Sequence, residues 1–309
     1  MLKSVTVTNH LGKSITLELA NPEESGFYVV GITGLDPPKA DISLSDIAAY
    51  DGSVFNSSRV SSRNIVLSLM FPETKVEYYR HECYKYFPIK RNVTLDFVTD
   101  TRQLSISGYV ESNEIGIFSK RQGCQVSILC PDPWFYDTNG SRSEQTLSKI
   151  ERVFEFERFD DVTGDTWIKG ITSEDSYSIE FSNIIKNSSG IVNYDGDIEV
   201  GVTLRFRAFG TTGDVNIYKG YDRLTINSSV VNRITNAPIQ AGDEIIITTH
   251  QGKKSARLLR NGKYVNILSA IDKKSTWLKV SKGENEFVFT TVTSSGELAF
   301  SIQTLYEGI

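Results

Sequence analysis

Three histidines, His10, His81 and His250, and three cysteines, Cys83, Cys124 and Cys130, are the side chains from which a zinc or nucleophilic site would be built. No two of the histidines stand four residues apart, so one helix face cannot present a pair of them to a metal. In His81-Glu82-Cys83 the imidazole and the thiol lie two residues apart. On a helix such neighbours diverge by about 200°, which separates them into different faces. Asp195-Gly196-Asp197-Ile198-Glu199 sets three carboxylates on one side of an extended segment. That could begin a calcium site, but no further oxygen ligands are identifiable, so a solvated turn leading into an acidic strand face is expected. In Cys124-Gln125-Val126-Ser127-Ile128-Leu129-Cys130 the even positions are all apolar, so both cysteines lie on one face of a strand. About 20 Å of strand separates them, too far for a disulfide. All three cysteines therefore read as small buried hydrophobes in a reducing compartment. The nucleophile elbow Gly-x-Ser-x-Gly, the P-loop and the dinucleotide fingerprint are absent. The expectation is a protein that is not an enzyme and uses no metal or cofactor. Trp277 is a candidate ligand contact, because an indole stacks on a sugar face, although tryptophans in sandwiches more often fill a core.

The elements that would position such residues are mostly strands. A chain of 309 residues, 39% hydrophobic and 23% charged, is long enough for two domains of roughly 150 residues with a core each. Lys and Arg number 13 against 16 Asp and Glu in residues 1–137, and 20 against 22 after that. Neither part is basic, which argues against specific nucleic-acid binding. No uncharged stretch approaches the about 20 apolar residues of a membrane span. Met1 to Val7 enters polar–apolar alternation directly, without the apolar run of a secretion signal, so folding in a cytoplasm is expected.

Ile15, Leu17 and Leu19 share a face after the Asn9-His10-Leu11-Gly12 turn, which predicts a hairpin with Val5 and Val7. Arg63 to Phe71 carries apolar residues on both faces and reads as a central strand covered on both sides. Leu104, Ile106, Val110 and Phe118 mark further strands. Between them, Val76, Tyr79, Cys83 and Tyr86 form a helical stripe within Thr74–Phe87, with Thr74 and Glu77 as a capping box and Pro88 as the stop. Cys130-Pro131-Asp132-Pro133-Trp134-Phe135-Tyr136 is a rigid exit whose aromatic residues plug the first core. The polar stretch Thr138 to Gln145 is the expected boundary, giving domains over 1–137 and 138–309. The second part again reads as strands, among them Tyr177–Phe181, Val202–Phe206 and Glu244–Thr249. Asn261-Gly262 predicts a type I′ hairpin, and the alternation from Leu298 to Tyr306 predicts a terminal strand that either closes this part, the reading preferred, or returns to pair with a sheet of the first. Such a succession of short strands is the pattern of a β-sandwich.

Residues 1–137 resemble the distal tail proteins of long-tailed phages. The resemblance runs in order through Gly31-Ile32-Thr33-Gly34-Leu35-Asp36-Pro37-Pro38, Asp51-Gly52-Ser53, Arg59 to Phe71, the helix, Val93 to Asp100, Gly108 to Ser112 and the Cys130 to Phe135 exit. The second part looks like the galectin-like sandwich often attached to that family, through Asn193 to Asp197, Ala241-Gly242-Asp243, the Asn261-Gly262 hairpin, Ser275-Thr276-Trp277 and Gly283-Glu284-Asn285. The resemblance implies a mainly β chain: an N-terminal sheet domain with one helix and a hairpin arm, followed by a galectin-like β-sandwich. It also implies a homohexameric hub ring at the virion tail tip, made in the host cytoplasm, that joins the tail tube to tail-tip or baseplate and adsorption proteins. The implied partners are the tail-tube, tail-associated hub and tape-measure proteins, with receptor-binding proteins as further candidates and neither specific nucleic acid nor membrane. Ile42 to Ser62, polar and turning at Asp51-Gly52, suits a ring-forming arm. Asp51 and Gly52 at its turn, with Arg59 and Arg63 near its base as ion-pairing residues, are the candidate subunit-interface residues. Two alternatives differ in class: a carbohydrate-binding adhesin or baseplate module using the sandwich with Trp277, and a tail-associated hydrolase needing a carboxylate pair or metal.

Overall fold

Apolar alternation in the first part builds one antiparallel sheet. The elements of this part, of which β4 and β5 form a separate hairpin, are β1 (Leu2–Asn9), β2 (Ser14–Glu18), β3 (Tyr28–Thr33), β4 (Ala40–Asp46), β5 (Ser53–Val60), β6 (Arg63–Met70), α1 (Val76–Tyr86), β7 (Asn92–Thr99), β8 (Gln103–Ile115), β9 (Gly123–Cys130) and β10 (Phe135–Asp137). These come from a computed structural model that describes the whole chain except residues 49–50, 117–121, 139–144, 150–154, 158–177, 181–188 and 292–295. Phe118, Tyr177, Phe181 and most of the polar stretch 138–145 lie outside the described residues. The main strands run in the order β2-β1-β7-β8-β9-β6-β3. The expected first hairpin forms, with Val5 opposite Leu17 and Val7 opposite Ile15. The Asn9 side chain sets its turn by accepting the Leu11 and Lys13 N–H groups, each at 3.0 Å.

Strand β6 lies inside this sheet, between β9 and β3. Ile65, Leu67 and Leu69 are buried, whereas Val66 and Met70 on the other face are only half-buried. The expected cover on both faces is thus a full core on one side and partial cover on the other. Cys124, Val126, Ile128 and Cys130 all face the core, as the alternation of β9 predicts. Of the aromatic exit residues, Phe135 is fully buried and meets Phe97 edge-on at 5.8 Å, while Trp134 and Tyr136 are half-buried. Each such side chain removed from water contributes about 1.5–3 kcal/mol.

Helix α1 presents the expected stripe, with Cys83 buried and Val76, Tyr79 and Tyr86 packed against the core. The capping box does not form. Lys75 is the N-cap in a left-handed conformation (φ 64°), and Glu77 pairs instead with Arg80 at 3.2 Å.

The second part contains β11 (Gln145–Lys149), β12 (Glu155–Glu157), β13 (Ser178–Glu180), β14 (Ser189–Tyr194), β15 (Val200–Gly201), β16 (Thr203–Ala208), β17 (Val215–Lys219), β18 (Asp222–Ile226), α2 (Ser228–Thr235), β19 (Glu244–Thr248), β20 (Ser255–Arg260), β21 (Lys263–Asn266), β22 (Lys279–Val280), β23 (Gly283–Thr291) and β24 (Gly296–Ser301). One sheet runs β11-β24-β16-β19-β20-β21 and another β14-β23-β17-β18, with β12–β13 and β15–β22 as separate pairs. The two larger sheets pack face to face. Phe206 of β16 meets Phe289 of β23 at 6.3 Å, and Phe287 of β23 meets Phe300 of β24 at 4.7 Å. The Asn261-Gly262 hairpin joins β20 to β21 with both residues at positive φ, 50° and 73°, as a type I′ turn requires. Helix α2 has no counterpart in the sequence reading. Its first turn is capped from elsewhere in the chain, because the Asp214 carboxylate accepts the Ser228 N–H at 2.7 Å and its hydroxyl at 2.8 Å.

The terminal alternation is divided between two partners. β24 closes the six-stranded sheet through β11 and β16, but β25 (Leu305–Tyr306) pairs with Phe135 and Tyr136 of β10. The preferred expectation, one strand closing the second part, holds for β24 alone, and the alternative, a return to the first sheet, is what β25 does. The chain falls into two compact units, one formed by Met1–Arg142, Asp195–Ile198 and Gln303–Ile309, the other by Ser143–Tyr194 and Glu199–Ile302.

Candidate functional site

Strands β4 and β5 pair with each other and with no other described strand. A two-stranded hairpin is marginal in water without something to cover one face, and this one carries apolar side chains left exposed among the described residues. Ile42 and Phe55 are each 60% exposed, and Leu44, Ile47 and Val54 about half exposed. Leu44 sits directly opposite Phe55, and Ile42 lies two residues along the same face. The register shift after Ser43 leaves Asn56 as the extra residue, whose amide donates to the Ser45 hydroxyl at 2.6 Å. The arm is thus less polar than its abundance of Ser and Asp suggests, and the signal of this in the sequence is the Ile42/Leu44 alternation with Phe55 opposite.

Asp51 and Gly52 lie exposed where the arm turns, and Gly52 has φ 98°, a conformation that favours glycine. Arg59 is exposed and reaches Asp41 within the arm at 3.5 Å. The Ser61 hydroxyl, donated to Asp41 at 2.6 Å, holds that carboxyl below the ordinary range, and Arg59 adds to the effect.

Arg63 does not belong to this surface. It is 4% exposed, so the intersubunit ion pair expected of it is replaced by an internal role. Its guanidinium donates to the carbonyls of Pro133 (2.7 Å), Gly34 (2.7 Å), Asp36 (2.8 Å) and Glu307 (2.5 Å), and lies 4.4 Å from the centre of the Phe135 ring. One side chain thereby fastens the 34–36 loop, the proline exit and the C-terminal segment beside the base of the arm. Burial lowers its proton affinity, opposed by the field of nearby acidic groups. Tyr306 adds a second latch on the C-terminal segment, its ring lying 4.0 Å under the Arg102 guanidinium.

In the second unit a cleft of about 580 Å³ opens over β19, β20 and β21, lined by Ile246, Thr248, Lys253, Lys254, Ser255, Arg257 and Tyr264. Trp277 does not line it. The half-buried indole holds the Lys254 ammonium 5.1 Å from its ring centre, and Lys254 does line the cleft. Register explains the assembly: Ile246 pairs with Arg257 and Thr248 with Ser255, so adjacent strands present them together. Of the acidic cluster, Glu199 is taken up by Lys279 at 2.9 Å. Among the described residues no three His, Cys, Asp or Glu side chains converge as a metal ion would require. His81 is exposed on α1 and Cys83 is buried, on divergent faces as expected.

No protein-family model matches the sequence, and no curated protein does so either. Among solved structures the chain is similar to SPP1 Dit (gp 19.1), described as a paradigm of the hub adsorption apparatus in phages infecting Gram-positive bacteria. The TM-score is 0.60 at 14% identity, over 97% of this chain and 99% of that one. It is also similar to a chain of the phage P2 baseplate in its activated conformation with Ca, with a TM-score of 0.50 at 13% identity over 100% of both chains. At these identities the likeness is one of fold, and it extends along nearly the whole chain.

Proposed function

We propose that this chain, which carries the fold of a phage distal tail hub protein, is a structural subunit of a phage tail tip and not an enzyme. The observation that supports the reading most is the arm: in a chain with that fold, a hairpin exposes Ile42, Leu44 and Phe55 together on one face, away from any core of its own. A neighbouring copy supplies the missing cover, and six copies related by rotation close a ring without leaving an arm free. Asp51, Gly52 and Arg59 then lie at the subunit boundary. A ring-forming part over 1–137 and a second part over 138–309 belong to the same proposal, as do tail-tube, tail-associated hub and tape-measure proteins as partners.

Native mass spectrometry of the purified chain tests this. Hexamers are expected at micromolar concentration, and Leu44→Asp combined with Phe55→Asp is expected to give monomers with an unchanged circular dichroism spectrum, since neither side chain packs in a core. A wild type that stays monomeric, or a double variant that still forms the same ring, would reject the assignment of the arm.

One observation favours a second activity within this role. The cleft over β19–β21 is lined by three cations, no carboxylate and a 63% exposed tyrosine, a combination that suits an acidic polysaccharide by ion pairing and ring stacking. Calorimetry with dextran sulfate against neutral dextran separates the possibilities. Binding of the sulfated polymer alone is expected, weakened about tenfold or more by Arg257→Gln with Tyr264→Ala. Equal behaviour of the two polymers, or indifference to the substitutions, would remove this reading.

A further inference from the structure

Cys83 and Cys124, 41 residues apart in sequence, meet beneath helix α1 with their sulfur atoms 3.1 Å apart. Both are buried and neither is in a disulfide. A covalent sulfur–sulfur bond is about 2.05 Å, so a shift of roughly 1 Å shared between two side chains would close one. Asn113 stands over the pair, its amide donating to Cys83 at 3.5 Å and to the Phe87 carbonyl at 3.4 Å. The Cys124 thiol, followed by Asn113, donates to Cys83 and favours its thiolate, while Cys124 is held in the protonated form by the same contact and by burial. Cys130, also on β9, is a natural control. Its thiol donates to the Ile128 carbonyl at 3.9 Å, and burial pushes it up to about 12.

We propose that Cys83 and Cys124 form an oxidative modification site, a dithiol that a small neutral peroxide converts to a disulfide pinning α1 to β9. The Cys83 thiolate attacks one peroxide oxygen. The O–O bond breaks, Cys83 becomes a sulfenic acid, and the departing hydroxide takes up the proton lost by Cys83 and leaves as water. The Cys124 sulfur then attacks the Cys83 sulfur. The S–S bond forms as the S–O bond breaks, and the sulfenic oxygen leaves as a second water with the Cys124 proton. Two electrons pass from the two thiols to one peroxide. The consequence is mechanical. Cys83 is the one fully buried residue of the helix, so the bond fixes α1 at the point where it enters the core and restricts the unfolded chain over the 41-residue separation. This inference does not depend on the hub reading.

The deciding measurement uses the unmodified full chain, with one variant as a control. After hydrogen peroxide and quenching, alkylation under denaturing conditions and peptide mapping should find Cys83 joined to Cys124, Cys130 alkylated, and a melting temperature raised by about 10 °C that reductant reverses. The Cys130→Ser chain should behave identically. The proposal is overturned if Cys83 and Cys124 both remain alkylatable after peroxide treatment, if Cys83 stops at sulfinic acid without joining Cys124, or if the bond that forms contains Cys130.

Discussion

Replacement of Arg63 by alanine is expected to destabilise the first unit by on the order of 4 kcal/mol, lowering its melting temperature by about 10 °C. The guanidinium serves four backbone carbonyls from three separate stretches of chain. Hydrogen bonds to a charged donor are worth about 1.5–3 kcal/mol each, and a buried acceptor left unpaired costs about 1–3 kcal/mol. These contributions are not additive, since the freed loops can relax towards water. Arg63→Lys should recover less than half of the loss, because one ammonium cannot span a fork that reaches Pro133, Gly34, Asp36 and Glu307 at once. Hydrogen exchange by mass spectrometry would localise the effect: faster exchange is expected in residues 33–37, 133–137 and 303–309, with the β1–β2 hairpin unchanged. A variant as stable as the wild type would show that the carbonyls find other donors and that Arg63 is not the fastener.

The second large effect is expected at Asp243, a carboxylate only 2% exposed. It accepts the Arg260 guanidinium at 2.8 and 2.5 Å and the Gln240 N–H at 2.9 Å, and Arg260 donates onward to the Pro238 carbonyl at 2.7 Å. This pair ties the loop after α2 to strand β20, and the Asp243 hydrogen bond raises the proton affinity of Arg260. Asp243→Ala leaves a half-buried guanidinium without its counter-charge, a loss of about 3–5 kcal/mol. Asp243→Asn keeps the shape and one acceptor, and should fall between the two. Urea unfolding of the second unit, followed by exchange in residues 236–248 and 255–260, measures both. Equal stability of wild type and Asp243→Ala would mean that Arg260 is repaired by its remaining carbonyl and water.

Both residues stood in the sequence without a legible role. Arg63 was read as an ion-pairing residue at the base of an arm, because a cation beside a polar stretch ordinarily faces solvent. Its partners are backbone carbonyls, one of them 244 residues away, and a carbonyl gives no sequence signal. Asp243 appeared only as part of Ala241-Gly242-Asp243, and its partner Arg260 lies 17 residues on. Helix α2 was missed for a similar reason, since its cap is supplied by Asp214, 14 residues before Ser228. The cleft was passed over because Lys253, Lys254 and Arg257 read as ordinary solvated charges until β19, β20 and β21 are set side by side.

Everything governed by period and by local turn chemistry was legible in the sequence. The stripe of α1, the buried face of β9, the Asn9 and Asn261-Gly262 hairpins and the mainly β class all follow from neighbours within a few residues, where backbone geometry fixes which side chains share a face. The alternation through Leu298, Phe300, Ile302, Thr304 and Tyr306 was legible in the same way, and all five are buried. Which partner buries each was not. Period 2 states that a face must be covered but carries no information about the strand that covers it, so only the tertiary structure could send Leu298 and Phe300 to one sheet and Tyr306 to another. The meeting of Cys83 with Cys124 was decided at that level too, because it requires a helix and a strand, each correctly read alone, to be laid across one another.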